Sequence, residues 1–367
     1  MRIIGLGIVG LSLKFNLILG GAYDESFALK TDSSIWSWGS NVSGQLGDGS
    51  VRKRSSPVSV VGNHSFINIS GGYHCLGLKS NGQIWTWGQN DSGQLGQNNI
   101  IYRSSPVSVI GNHSFTSISV GGYHCLGLKP NGLWAWGRNA AGQLGNNTII
   151  DKSSPISVVG NHSFTSIMAG EAYSLGLKSD GSVWAWGYNF NGQLGINSSG
   201  VTASRSSPVS VVGNHSFINI SAKIATSLGL KSDGSVWAWG YNNKGQLGIN
   251  TVADKSSPVS VLGNHSFIAI SVGGSHSLGL KSDGSVWAWG QNSFAGQLGD
   301  NTIVDKSSPV SVVGNHSFIS ISAGGYHNLA LKSNGQIWGW GNNSVYGGVG
   351  DNTNINRSSP VLVMGTS

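Results

Sequence analysis

Four histidines occupy one position of a long-period pattern: His74, His124, His276 and His327 each follow a small-residue loop and open an apolar stretch. Glu25, Tyr173 and Thr226 stand at the same position in the remaining copies. A titratable ring nitrogen repeated in this way could act as a general base, a metal ligand or a partner contact. General-base chemistry needs a nucleophile and an orienting carboxylate beside the base, and no such trio recurs with these residues; nor is there a phosphate loop of the GxxxxGK[ST] form. Six further histidines, His64, His113, His162, His215, His265 and His316, lie in Asn-His-Ser strings. A metal ion needs ligands that converge on one point, and equivalent loops of a repeat are held one unit apart. No metal site, cofactor or catalytic centre is therefore expected.

Charge is sparse but regularly placed. Charged residues make up 10% of the chain and the formal net charge is +7. One basic residue precedes each Ser-Ser-Pro: Arg54, Arg103, Lys152, Arg205, Lys255, Lys306 and Arg357. Such a ring would attract an acidic partner and speed its association in a salt-dependent way. Asp151, Asp254 and Asp305 adjoin three of these residues and are expected to neutralise them locally.

Residues 1–14 are atypical. Gly5, Gly7 and Gly10 form a GxGxxG that resembles the start of a dinucleotide-binding domain of the nucleotide-sugar dehydrogenase type. That site needs a helix after the third glycine and an acidic residue about twenty positions on. Gly20-Gly21 breaks any helix, so an irregular N-terminal strand is the better reading. Arg2 followed by an apolar stretch from Ile3 to Leu13 is also signal-like, which leaves export open. Cys75 and Cys125 sit at one position in adjacent copies, too few for a disulfide framework, and lean toward a cytoplasmic protein. No segment approaches transmembrane length, so no membrane span is expected.

The elements that must position these residues come from the repeat itself. Trp-x-Trp-Gly recurs seven times and accounts for all fourteen tryptophans; the glycines after the second Trp (Gly39, Gly88, Gly137, Gly187, Gly240, Gly290, Gly341) are 49 to 53 residues apart. A period near fifty means one supersecondary unit copied and stacked. In the second copy, FINIS (66 to 70), HCLGLK (74 to 79), QIWTWG (83 to 88) and PVSVI (from Pro106) read as four short strands. Ser-Asn-Gly or Ser-Asp-Gly between the second and third supplies left-handed residues for a two-residue hairpin. Seven such units predict an all-β fold, a closed seven-bladed β-propeller with four antiparallel strands per blade, forming one domain over residues 15–367. PVLV (360 to 363) ends the last copy and is placed to close the ring against the first. Trp-x-Trp puts both indoles on one side of each blade, against a neighbour.

The motifs G-G-x-x-H-S-L-x-L, W-x-W-G-x-N-x-x-G-Q-L-G and S-x-P-x-x-V together resemble the regulator of chromosome condensation repeat. The resemblance implies a propeller used as a protein-binding platform, in a family that includes a nuclear exchange factor for the GTPase Ran and a plant UV-B photoreceptor. The photoreceptor's chromophore motif, G-W-R-H-T, is replaced here by GGYHC, GGSHS and GGYHN. The exchange factor's β-wedge has no counterpart, the largest excess being about three residues near Ser198 to Thr202. Carried over from the family, the ring-face positions Glu25, His74, His124, Tyr173, Thr226, His276 and His327 are the expected partner contacts. The expected function is a non-catalytic, monomeric protein-binding scaffold whose partner, acidic or a small GTPase, docks on the end carrying these residues and the basic ring. The rival expectation is guanine-nucleotide exchange on a Ran-like GTPase. The near-identity of the blades favours the scaffold, and nucleic acid is not the expected partner.

Overall fold

A computed structural model of the chain describes residues 15–20 and 24–365; the segment 1–14, with Gly5, Gly7 and Gly10, lies outside the described residues. Short turns set the register of each blade. In the second blade Gly82 N donates to Lys79 O and Lys79 N to Gln83 O, both at 2.9 Å. Only Gly82 is left-handed there (φ +80°), so the turn is a three-residue loop ending in a glycine bulge, not the two-residue hairpin expected. The residue before the glycine acts through its side chain: Asn81 Oδ1 accepts from Gln83 N at 3.0 Å.

Each of seven sheets consists of four consecutive antiparallel strands. In the second blade these are Asn68–Gly71, His74–Leu78, Ile84–Gly88 and Arg103–Ser108, counted from the inside outward. The outer strand begins at the basic residue, three positions before Pro106. It does so because Gly88 pairs with Arg103 across an irregularity in the register. Proline is tolerated there because the outer strand is a sheet edge.

The inner strands surround a central channel, and their open edges are closed by serine. Ser70 Oγ accepts from Val120 N, Ser119 Oγ from Ala169 N, and Ser221 Oγ from Val272 N, at 2.9, 2.9 and 3.0 Å. Ser271 and Ser322 do the same for Ala323 N and Gly20 N. Backbone donors that would otherwise template another strand are thus used inside the ring.

Both faces of a blade are covered, so each strand is buried on both sides. Between the third and fourth blades, Leu126, Leu133, Ala135 and Leu144 meet Phe164, Ile167 and Trp186. The two indoles of each Trp-x-Trp share a face but not a depth. The second (Trp38, Trp87, Trp136, Trp186, Trp239, Trp289, Trp340) is fully buried, and the first is half-buried with a lysine over it, as Lys178 lies 4.3 Å from the Trp184 ring centre.

The ring closes without exchange of a strand. Arg357–Leu362 pairs only within its own blade, and the first blade, from Phe15, is likewise complete. Closure comes from packing of Phe15, Ile18, Ala28 and Trp38 against Leu329, Leu331, Ile337 and Val363. Gly20 N to Ser322 Oγ (2.9 Å) and Trp38 Nε1 to Gly348 O (3.0 Å) add hydrogen bonds. The expectation that PVLV would close the ring holds only for Val363, as a packed side chain.

Depth predicts how the two indoles respond to truncation. Trp186→Ala should cost about 3–5 kcal/mol in chemical denaturation. Trp184→Ala should cost about 1–2 kcal/mol, because the indole is only half-buried under Lys178 and His162.

Candidate functional site

The seven ring-face positions each begin the second strand of a blade and pair with the glycine after Trp-x-Trp, as His74 with Gly88. All seven are buried, none more than 1% exposed, and a docked protein could not touch them. The four histidines and Tyr173 reach sideways into the next blade. His124 Nε2 lies 2.9 Å from Ser174 Oγ, His327 Nε2 2.7 Å from Ser26 Oγ, and His74 Nε2 3.0 Å from Cys125 Sγ. His276 Nε2 lies 2.7 Å from Asn328 Oδ1, which can only accept, so this nitrogen carries the proton. Tyr173 bonds Thr226 O (2.7 Å) and Ser227 Oγ (2.9 Å), while Thr226 Oγ1 turns back to Tyr241 O in its own blade. The first glycine of Gly-Gly makes room for these rings: a Cβ on Gly121 would lie 2.4 Å from His124 Cε1. Burial holds His74 and His124 down at about 3 and His276 at about 4, so all three are neutral in the fold.

The residue after each ring-face position, in six blades, donates to one carbonyl of the preceding blade. Cys75, Cys125, Ser174, Ser227, Ser277 and Asn328 donate to the backbone oxygen of Gln45, Gln94, Gln143, Gln193, Gln246 and Gln297, the Gln of the preceding blade's Gly-Gln-Leu-Gly. The cysteines therefore do the work of serine. Both are free and buried, and burial pushes both thiols well up, with the Glu25 carboxylate adding to the effect at Cys75.

The basic ring lies at the same end, half-buried at the mouths of the outer strands. Arg54 pairs with Asp48 (2.7 Å) and Arg357 with Asp351 (2.6 Å). Among the described residues, Arg103, Lys152, Arg205, Lys255 and Lys306 have no carboxylate within 4.0 Å. Asp151, Asp254 and Asp305 do not neutralise the adjacent lysines. Their carboxylates accept from backbone N–H groups of Asn139, Asn242 and Asn292, and Asp305 lies 3.5 Å from Lys244. At the opposite end, the Asn-His-Ser histidines stack on the first Trp of their own blade, with ring centres 4.1 Å apart for His64 and Trp85 and 4.2 Å for His162 and Trp184.

The blades are less alike than their sequences suggest. Where the loops between the inner and second strands of the second, third, sixth and seventh blades carry Gly-Gly three and two residues before the ring-face position, the fourth blade has Gly170-Glu171 and the fifth Lys223-Ile224. The fifth loop is a tight hairpin, with Lys223 paired to Thr226 and Ile224 at φ +41°. Lys223 Nζ crosses the channel to Ala323 O (2.8 Å) and Gly20 O (3.2 Å), and burial lowers its pKa to about 8. The same sector holds a concavity of about 730 Å³ between the third, fourth and fifth blades, lined by Tyr123, Arg138, Glu171, Tyr188, Ile224 and Tyr241. The broken Gly-Gly pairs and the variable residue after Trp-x-Trp-Gly (Arg138, Tyr188, Tyr241) were the signals in the sequence that could have located it.

Two expectations follow from the inter-blade network. Above pH 6.5 the folded and unfolded chains bind equal numbers of histidine protons. Below it the unfolded chain takes up protons that His74, His124 and His276 refuse until about 3 to 4. The contribution of these three histidines to stability is therefore full above pH 6.5 and declines as pH falls toward 4; the melting temperature should already drop between pH 6.5 and 5, above the carboxylate range. Cys125→Ser should change stability by less than about 1 kcal/mol, whereas Cys125→Val, which removes a donor to Gln94 O, should cost about 1–3 kcal/mol. Alkylation should label neither thiol in the native chain and both after unfolding.

Residues 133–367 match the RCC1-like domain, and residues 32–78 and 81–128 match the regulator of chromosome condensation (RCC1) repeat. The ultraviolet-B receptor UVR8 of Arabidopsis thaliana is 41% identical over 70 residues, which span 18% of this chain and 16% of the receptor. Human WBSCR16 superimposes with a TM-score of 0.80 at 21% identity, covering 90% of this chain and 94% of that one. Prp20p from Saccharomyces cerevisiae gives 0.75 at 22% identity, covering 85% and 80%. The match over most of the length, together with the repeat matches in the first blades, makes this chain a member of the regulator of chromosome condensation repeat family.

Proposed function

We propose that the ring is a non-catalytic scaffold that binds a protein partner on the end carrying the basic residues. The observation that carries this reading is the set of half-buried cations Arg103, Lys152, Arg205, Lys255 and Lys306, held around one end without carboxylate partners. Cations fixed by strand geometry give orientation and on-rate to an acidic surface. Protein partners also fit the relatives: the yeast Prp20p structure is described with binding to Gsp1p and histones, and another holds yeast RCC1 with Kap60. The buried histidines act on this surface indirectly, by fixing the blades that present it.

A second reading, guanine-nucleotide exchange on a Ran-like GTPase, has one observation in its favour. Exchange needs an asymmetric element, and Glu171, Lys223 and Ile224 supply one where the near-identity of the repeats argued against it.

Pull-down with the wild type and with Arg103→Glu, Lys152→Glu and Arg205→Glu combined, followed by GDP release on any GTPase recovered, separates the readings. The scaffold predicts loss of partner in the triple variant and no effect of the wild type on GDP release. Accelerated release would establish exchange instead, and unchanged recovery would move the binding surface to the opposite end.

A further inference from the structure

The concavity between the third, fourth and fifth blades collects the chain's departures from its own repeat. Glu171 and Ile224 replace glycine on its inner wall, and Val201, from the excess near Ser198 to Thr202, stands 78% exposed at its rim. Other departures lie elsewhere, at Glu25 in the first blade and Gly-Gly-Val-Gly in the last, but these three meet in one hollow. Its volume, about 730 Å³, is that of an open cleft of the size that takes small ligands, ample for one side chain.

Ile224 adds a second, independent observation. A β-branched residue at φ +41° is disfavoured; the glycines at this position in four other blades (Gly72, Gly122, Gly274, Gly325) are not left-handed, so the strain belongs to the tight hairpin of the fifth loop alone. Strain of this kind persists only where the surrounding structure holds it, here with the Ile224 side chain against Gly274 of the sixth blade, and it marks the loop as a candidate for function. Beside it, Tyr123, Tyr188 and Tyr241 present rings that can cover an apolar anchor at low entropic cost.

Charge decides what the anchor belongs to. Arg138 is exposed, with its guanidinium over the Tyr123 ring at 5.5 Å, and Arg205 donates to Ser204 O, a residue of the hollow's wall. Neither has a carboxylate within 4.0 Å among the described residues. Of the neighbouring acids, Asp151 is engaged with a backbone N–H and Asp254 with Asn242 N and Asn191 Nδ2. Glu171 lies within the wall, where its backbone joins the adjoining loops through Gly122 N and Ile224 O.

The geometry points to this hollow as the specificity pocket for an acidic protein segment. An aromatic or aliphatic side chain of that segment enters among the three tyrosines, and carboxylates flanking it meet Arg138 and Arg205. This inference rests on the reading of the basic end as a protein-docking face, and it selects one sector of that face.

A random peptide display library panned against the full chain tests it. Enriched peptides should carry Phe, Trp or Leu flanked by Asp or Glu. Their affinity should fall at least tenfold for Tyr188→Ala and for Arg138→Glu, and by less than twofold for Lys306→Glu, in a blade outside this sector. Tyr188 is 38% exposed, so its truncation should leave the melting temperature within a few degrees of the wild type and keep loss of binding distinct from loss of fold. Enriched peptides without acidic residues, or no enrichment, would overturn the inference. Peptides that lose affinity with Lys306→Glu but not with the sector variants would overturn the pocket and leave the docking face intact. Peptides insensitive to all three variants would overturn both.

Discussion

Everything else in this ring depends on one backbone carbonyl per blade. The oxygen of the Gln in Gly-Gln-Leu-Gly accepts the indole N–H of the next blade's second Trp, at 2.9 Å in five pairs and 3.1 Å at Gln297 and Trp340. It also accepts a side-chain donor from the second strand of that next blade. A fully buried indole would leave its N–H unpaired without such an acceptor, at a cost comparable to much of its burial gain. The remaining letters of the motif hold the carbonyl in place. Asn90 Oδ1 fixes Leu95 N, Asn90 Nδ2 reaches Asn99 O and Ile101 O, and Gln94 Oε1 caps Ser92 N. Between the last blade and the first, where Gly-Gly-Val-Gly replaces Gly-Gln-Leu-Gly, Gly348 O takes the donors from Trp38 and Ser26.

That carbonyl also explains which substitutions the repeat tolerates. The donor beside the indole is Cys, Ser or Asn, three residues that share a polar hydrogen and little else. The residue that meets this donor from the preceding blade is histidine in four places, and Tyr173 performs the same bridging with a hydroxyl. The rings of His74, His124 and His276 remain neutral, because charging them means desolvating an ion between two blades. The recurrence of histidine here thus reflects packing between repeats.

The sequence was most informative where a pattern has one physical meaning. A fifty-residue period and Trp-x-Trp left few alternatives to a propeller, and the glycine turns marked the hairpins. It was least informative about depth. Alternation separates two faces of a strand, but in a blade packed on both sides both faces are buried, so His74 and its counterparts could not be told from surface residues. The outer strand starts at Arg103 because of a register irregularity at Gly88, which no composition signal marks. Closure through Phe15, Trp38 and Leu329 depends on residues from opposite ends of the chain. The hollow between the third and fifth blades has no signature in what the repeats share, because Glu171, Ile224 and Val201 are residues they do not share.

A ring whose blades are joined by the same bonds at all seven interfaces should behave as one cooperative body, with a face that is nearly uniform except for one sector. Native-state hydrogen exchange across the chain measures this most directly. The account predicts that the Trp38 and Trp340 strands, on either side of the closure, are protected to the same degree as the Trp186 strand opposite. Exchange that proceeds from the first and last blades inward, with protection rising toward the fourth, would contradict closure and describe an open stack of repeats instead.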